Sequence, residues 1–161
     1  MTHPVSHVKD ALKLTGDGIV HLYQIRLLAD NVIFRFKNNN TVTWQGQTYE
    51  GIPCQMTGDM ATADEQEARP TLRLYNPGGI FNAPALDGRL YRAVVTRKRV
   101  LYQHLIDNVN ISSQRMWYVE RPKELVSGQY ISLDLRTMTE GPNFQIPTRQ
   151  FIPPEFPTVS L

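Results

Sequence analysis

The stretch TVTWQGQTYEG, residues 41–51, decides the fold class. Two runs of β-branched and aromatic residues, TVTW and QTYE, flank Gln45-Gly46. A tight connection of that kind between strand-like runs closes a β-hairpin. Trp44 and Tyr49 flank the turn, where aromatic cross-strand neighbours support pairing by roughly 0.2–1 kcal/mol each. The stretch contains no nucleophile, no pair of metal ligands and no phosphate cradle. It is a well-made structural element in search of a purpose.

The neighbouring segments read in the same way. VIFRFK (32–37) places Val32, Phe34 and Phe36 on one face, and Asn38-Asn39-Asn40 after it suits a tight reversal. IVHLYQIRLL (19–28) alternates partially, and TLRLYN (71–76) alternates well before the turn signal Asn76-Pro77-Gly78-Gly79. RLYRAVVTRKRVLYQHL (89–105) is the longest periodic stretch, and its Val and Tyr content favours strand. MWYVERPKEL (116–125) and QYISLDLRTM (129–138) form a further hairpin through Val126-Ser127-Gly128. In its second arm Ile131, Leu133 and Leu135 share one face, and Ser132, Asp134 and Arg136 the other. Residues 57–69 are acidic and read as a solvated loop or a distorted strand edge, and residues 80–88 as irregular.

The two ends differ from this pattern. Residues 1–15 read as a short amphipathic helix, with Ser6 as N-cap, Val8, Leu12 and Leu14 as its stripe and Gly16 as its stop. From Glu140 onward the prolines at 142, 147, 153, 154 and 157 exclude a helix or a central strand. The expected organisation is a mainly β, mostly antiparallel domain over residues 1–140. A proline-rich, extended docking segment follows over 141–161.

Composition narrows the function. Seventeen basic against 15 acidic residues give a formal charge of +2, too balanced to imply nucleic acid or an anionic membrane. The single cysteine, Cys54, excludes an internal disulfide and a multi-cysteine metal or cluster site, and reads as a small buried hydrophobe. Of the four histidines only His3 and His7 lie four apart, with Pro4 between them, so no metal site is expected. Asp59, Asp64, Glu65 and Glu67 lack the regular spacing of a calcium loop. NPGG is followed by no GK[ST] and is a turn. Apolar runs of four or five residues are far short of a membrane span, and the N-terminus has no secretory h-region. Synthesis and solubility in the cytosol are therefore expected, without enzyme activity and without cofactor. The basic residues Arg89, Arg92, Arg97, Lys98 and Arg99 are the one hint of an electrostatic surface. In a strand Arg97 and Arg99 share a face and Lys98 takes the other. Solvated or interface charge is the leading reading, and contact with a nucleic-acid backbone the lesser one.

Motif order then supplies a resemblance. Val42, Thr43, Trp44, Gln45, Gly46 and Tyr49 are followed by Ile52 and Pro53, and then by Arg69, Pro70, Thr71, Leu72 and Asn76. This order resembles minor tail protein L of the lambda-like long-tailed phages. Weaker echoes lie in VVTRKRVLYQHLIDNVN, in Trp117, Val119 and Glu120, and in LDLRTMTEGPNFQIPTRQFIPP. A cysteine-rich C-terminal region associated with an iron–sulfur cluster in that family has no counterpart here, so no cluster is expected.

The resemblance implies a tail-tip or baseplate-hub component of the virion, made in the host cytoplasm. Its fold would be a barrel or sandwich of tail-tube type. Its partners would be other copies of itself (a trimer, with a hexamer as the alternative), the distal tail-tube protein and the central tip protein. DNA in the channel would be a transient contact and a membrane none. Candidate inter-subunit contacts are Trp44, Gln45 and Tyr49 of the hairpin and Phe144, Arg149, Phe151 and Phe156 of the C-terminal segment. The basic residues would face an interface or the lumen. Trp44 has a competing reading, in which it caps its own core. Rival functions are a carbohydrate- or peptide-binding module using Trp117 and Tyr118, a nucleic-acid-binding barrel using Tyr91 and Tyr102, and an assembly factor absent from the virion.

Overall fold

The computed structural model describes residues 18–58 and 69–137. The expected helix at 1–15, most of the acidic stretch at 57–69 and the segment 141–161 lie outside the described residues. Among the described residues nine strands form one mixed sheet: β1 (Ile19–Arg26), β2 (Ile33–Lys37), β3 (Val42–Trp44), β4 (Gln47–Gly51), β5 (Cys54–Thr57), β6 (Thr71–Tyr75), β7 (Val94–Leu101), β8 (Ser113–Val126) and β9 (Tyr130–Thr137). Two short helices, α1 (Asn82–Leu86) and α2 (Tyr102–Ile106), flank β7 in the chain. The expected mainly β fold is present.

The hydrogen-bonded order is β3-β4-β2-β1-β7-β8-β9-β6-β5. Every neighbouring pair is antiparallel except β2–β4, where Phe36 pairs with Glu50 and Lys37 with Gly51 in parallel. No hydrogen-bonded pair among the described residues joins β3 to β5. β2 and β6 stand five places apart in this order, roughly 24 Å in a flat sheet. Yet Phe36 of β2 and Leu72 and Leu74 of β6 belong to one buried cluster, with Ile25, Val95, Trp117, Ile131 and Leu133. The sheet therefore curls over one main core. Alternation along β9 predicts this, since Ile131, Leu133 and Leu135 are all fully buried.

A second, smaller core lies on the opposite face of β1 and β7. It joins Leu22 and Val100 to Trp44 and Tyr49 of the β3–β4 hairpin and to Leu105 of α2. The hairpin turn has the expected form: Gln45 at φ 52° and Gly46 at φ 70° both occupy the left-handed region, as a two-residue turn of the primed type requires.

The structure corrects three sequence expectations. The long stretch 89–105 is a strand only over 94–101, because Tyr102–Ile106 turns into α2. Residues 82–86 are helical rather than irregular, with Pro84 in the first turn where its missing N–H costs nothing. β8 starts at Ser113, three residues before the expected boundary.

A buried amide network fixes the turn after β6. Asn76, fully buried, donates from Nδ2 to Asn82 Oδ1 at 2.8 Å and accepts the Phe81 N–H at 3.0 Å. Asn82 in turn donates to Ser127 Oγ at 2.8 Å, tying α1 to the β8–β9 hairpin. Asn76→Ala strands the buried Phe81 N–H and should lower unfolding stability by about 2 kcal/mol. Urea unfolding checks this, and a loss within experimental error would sink it.

Candidate functional site

The hairpin residues separate into a buried pair and an exposed tip. Trp44 is 2% and Tyr49 0% exposed, so both rings serve the chain's own second core. They are not directly opposed: Trp44 faces Gln47 and Val42 faces Tyr49, which makes the two rings diagonal neighbours. Trp44 donates from Nε1 to the Val109 carbonyl at 3.3 Å, and the Lys98 ammonium lies 5.6 Å from its ring centroid. Half-burial there, and then the nearby Arg35 charge, hold the Lys98 pKa below its usual value. The Tyr49 hydroxyl donates to Gln47 Oε1 at 3.3 Å, and burial pushes its pKa upward. Gln45 is exposed at the tip. Its backbone N–H donates to Asn108 Oδ1 at 2.8 Å, and its side-chain amide donates to the Asn108 carbonyl.

The five basic residues do not share one surface. Arg89 precedes the strand and bridges Asp30 at 2.7 Å and Asp87 at 3.1 Å. Arg92 is exposed in a left-handed turn at φ 61°. Arg97 is 5% exposed, donates to Met56 Sδ at 3.6 Å and lies 5.4 Å from the Trp117 ring centroid. Arg99 is half-buried on the same face, and Lys98 points the other way under Trp44. Arg97 is thus a member of the interior, where its guanidinium closes the main core over Trp117. Trp117 itself is 4% exposed and belongs to that core, and its neighbour Tyr118 is half-buried. Tyr91 is exposed in a turn and Tyr102 at the start of α2. Phe144, Arg149, Phe151 and Phe156 lie outside the described residues.

Sequence reading did not find one concave feature of the surface. A groove of about 550 Å³ runs beside β5, where Pro53 and Cys54 meet Arg73, Tyr75 and Tyr130. The Arg73 guanidinium lies 3.8 Å from the Tyr130 ring centroid. The Tyr130 hydroxyl donates to Glu124 Oε1 at 2.7 Å, and this bond raises its pKa. Tyr75 is 45% exposed. One signal was available, since Arg73 and Tyr75 occupy the outward positions of TLRLY once Leu72 and Leu74 point inward. What brings them to Tyr130 is the register of β6 on β9, with Tyr75 opposite Tyr130.

Cys54 lines the groove without being activated. Burial pushes its thiol up to about 11. Relative to an ordinary thiol, alkylation at pH 8 should be about 100-fold slower in the folded chain, because the thiolate is the nucleophile. Full reactivity should return in denaturant. Equal rates in both states would refute the burial. Among the described residues no group of three or more His, Cys, Asp or Glu side chains could hold a metal ion. No described helix is long and apolar enough to cross a membrane.

A family model described as phage minor tail protein L matches residues 28–155. Among solved structures, a chain of the virion of a native gene transfer agent particle shares the fold, with a TM-score of 0.60 and 12% identity. That likeness covers 88% of this chain and 47% of the other, so this chain spans about half the length of its structural relative. No curated protein matches in sequence.

Proposed function

The chain belongs to the phage minor tail protein L family, and from that premise we propose that it is a structural component of a bacteriophage tail tip. In this reading copies of the chain form a ring, a trimer with a hexamer as the alternative. The ring joins the distal tail tube to the central tip protein around the genome channel. The observation that carries the proposal is the extent of the family match, which begins just after β1 and runs through all the later strands.

The geometry supports a scaffold in three ways. The hairpin's own aromatics, Trp44 and Tyr49, are buried in the second core, which fixes the hairpin in place. The tip at Gln45 is braced against Asn108 and presents polar groups to a neighbour. The outer side of β5 carries no pairing strand among the described residues, and such edges are ready sites for association. The contacts we assign to the ring are Gln45 and the exposed side of the hairpin, with Phe144 and Arg149 of the C-terminal segment. Trp44 and Tyr49 hold the hairpin in position from beneath. Arg92 and Arg99 are the basic residues left to meet acidic neighbours or, transiently, DNA.

Cryo-electron microscopy of purified virions, with mass spectrometry of the same particles, tests this. Expected is a ring of this domain below the tail tube, with the 41–51 hairpin at a subunit contact. Absence of the chain from virions would overturn the structural role and favour an assembly factor.

A further inference from the structure

We propose that the groove beside β5 is the docking site for this chain's own C-terminal stretch FIPPEFP, residues 151–157. The assignment goes beyond the tail-tip reading and stands without it. It begins with what an extended proline-rich segment requires. A polyproline II backbone makes no internal hydrogen bonds, so its carbonyls must find donors outside the segment. Its proline rings pack best on aromatic faces, and its preformed shape loses little entropy on binding.

The groove offers each of these. Asn38, Gln55 and Gln129 line it with side-chain amides, all on exposed residues and able to donate to peptide carbonyls. Tyr75 and Tyr130 supply the aromatic faces. The β5 edge adds a backbone donor. Tyr75 N–H bonds the Pro53 carbonyl at 2.8 Å and Gln55 pairs with Arg73. Alternation along an antiparallel pair then turns the N–H and C=O of Cys54 away from β6, to the outer side of β5. The volume of about 550 Å³ falls in the range of pockets that hold a specific ligand, roughly 300–1,000 Å³.

The occupant is chosen by charge, composition and reach. FIPPEFP has three prolines and two phenylalanines, and its one charged residue is Glu155. Among the described residues that line the groove Arg73 alone is charged, and its guanidinium is held over Tyr130. Thr137 ends β9, and Tyr130 begins it, seven residues and about 23 Å away at 3.3 Å per residue. Residue 151 lies 14 positions beyond Thr137 and can be about 46 Å away when extended. The linking chain is therefore long enough to return to the groove of its own copy.

The test uses the full chain with Phe156 replaced by p-benzoylphenylalanine. It is prepared as an equal mixture of ¹⁵N-labelled and unlabelled protein, irradiated, and mapped by mass spectrometry. Expected are adducts within 53–55, 73–75 or 129–130. Pairs of a single isotope support the proposal, whereas a statistical share of mixed-isotope pairs would put a neighbour's segment in the groove and overturn it. Adducts confined to other surfaces, or none, would overturn the proposal. In the same background Tyr130→Ala should reduce the groove adducts about tenfold while Tyr130→Phe keeps them. Retention in Tyr130→Ala would also overturn it. The cross-link in the otherwise unaltered chain remains decisive if the alanine variant fails to fold.

Discussion

Trp44→Ala should lower the free energy of unfolding by about 3–5 kcal/mol, the range for truncating a buried aromatic. The ring is 2% exposed and is the largest member of the smaller core, where it meets Leu22, Val100 and Leu105. Its removal also leaves the Val109 carbonyl without the indole donor and uncovers the half-buried Lys98 ammonium. Both losses add to the cavity term, so the upper half of the range is the better expectation. Against a total stability of about 5–15 kcal/mol for a domain, the change is large. Urea unfolding should show a lower midpoint with an unchanged slope. Thr43→Ala, on the exposed face of the same strand, should cost less than about 0.5 kcal/mol. A Trp44→Ala loss below about 1 kcal/mol would mean that the hairpin does not cap the second core.

Gly51→Ala should cost about 3 kcal/mol or more, for a different reason. A Cβ built at Gly51 falls 2.3 Å from the Asn39 carbonyl oxygen, 3.0 Å from Thr41 N and 3.2 Å from Asn40 C. All three are backbone atoms, so no side chain can rotate aside. The loop 38–41 must move, and with it the bond from Gly51 N–H to Thr41 Oγ1 at 3.0 Å. The parallel pairing of Lys37 with Gly51 and the bond from Ile52 N–H to the Lys37 carbonyl lie next to the clash. Overpacking alone costs about 1–3 kcal/mol, and loss of this junction adds to it. Gly18→Ala is the control: its added Cβ would sit 3.8 Å from Tyr102 Cβ, an ordinary contact. Hydrogen exchange at β4 should accelerate in Gly51→Ala and not in Gly18→Ala. Equal protection in the two variants would refute the close approach.

Elements built from local pairing were legible in the sequence. The 41–51 hairpin follows from a turn that needs two left-handed residues, and β9 from strict alternation of Ile131, Leu133 and Leu135. Elements set by distant partners were not legible. Nothing in IFRFK or QTYEG indicates that they pair in parallel, because both have the length and composition of any short strand. α2 was hidden because Tyr102 and Leu105 continue the apolar pattern of β7 without a break. Arg97 looked like surface charge, and its burial depends on Met56 and Trp117 arriving from β5 and β8. The groove was invisible for the same reason, since Tyr75 and Tyr130 meet only through the β6–β9 register. The hairpin's aromatics were legible as anchors, but whether they anchor a neighbour or their own core depends on α2 and β7 standing behind them.

The pairing of β1 with β7 has a consequence for biosynthesis. Arg26 joins Val94 and Ile19 joins Leu101, so the middle of the sheet closes only when roughly 75 further residues have been added. At about 5–20 residues per second, a ribosome needs roughly 4–15 s for that stretch. During this interval β1 can pair with β2 on one side while its other side waits. A nascent chain with an unpaired strand is open to strands of other nascent chains. Speed of translation through residues 27–101 is therefore part of what decides how much of this protein reaches its native sheet.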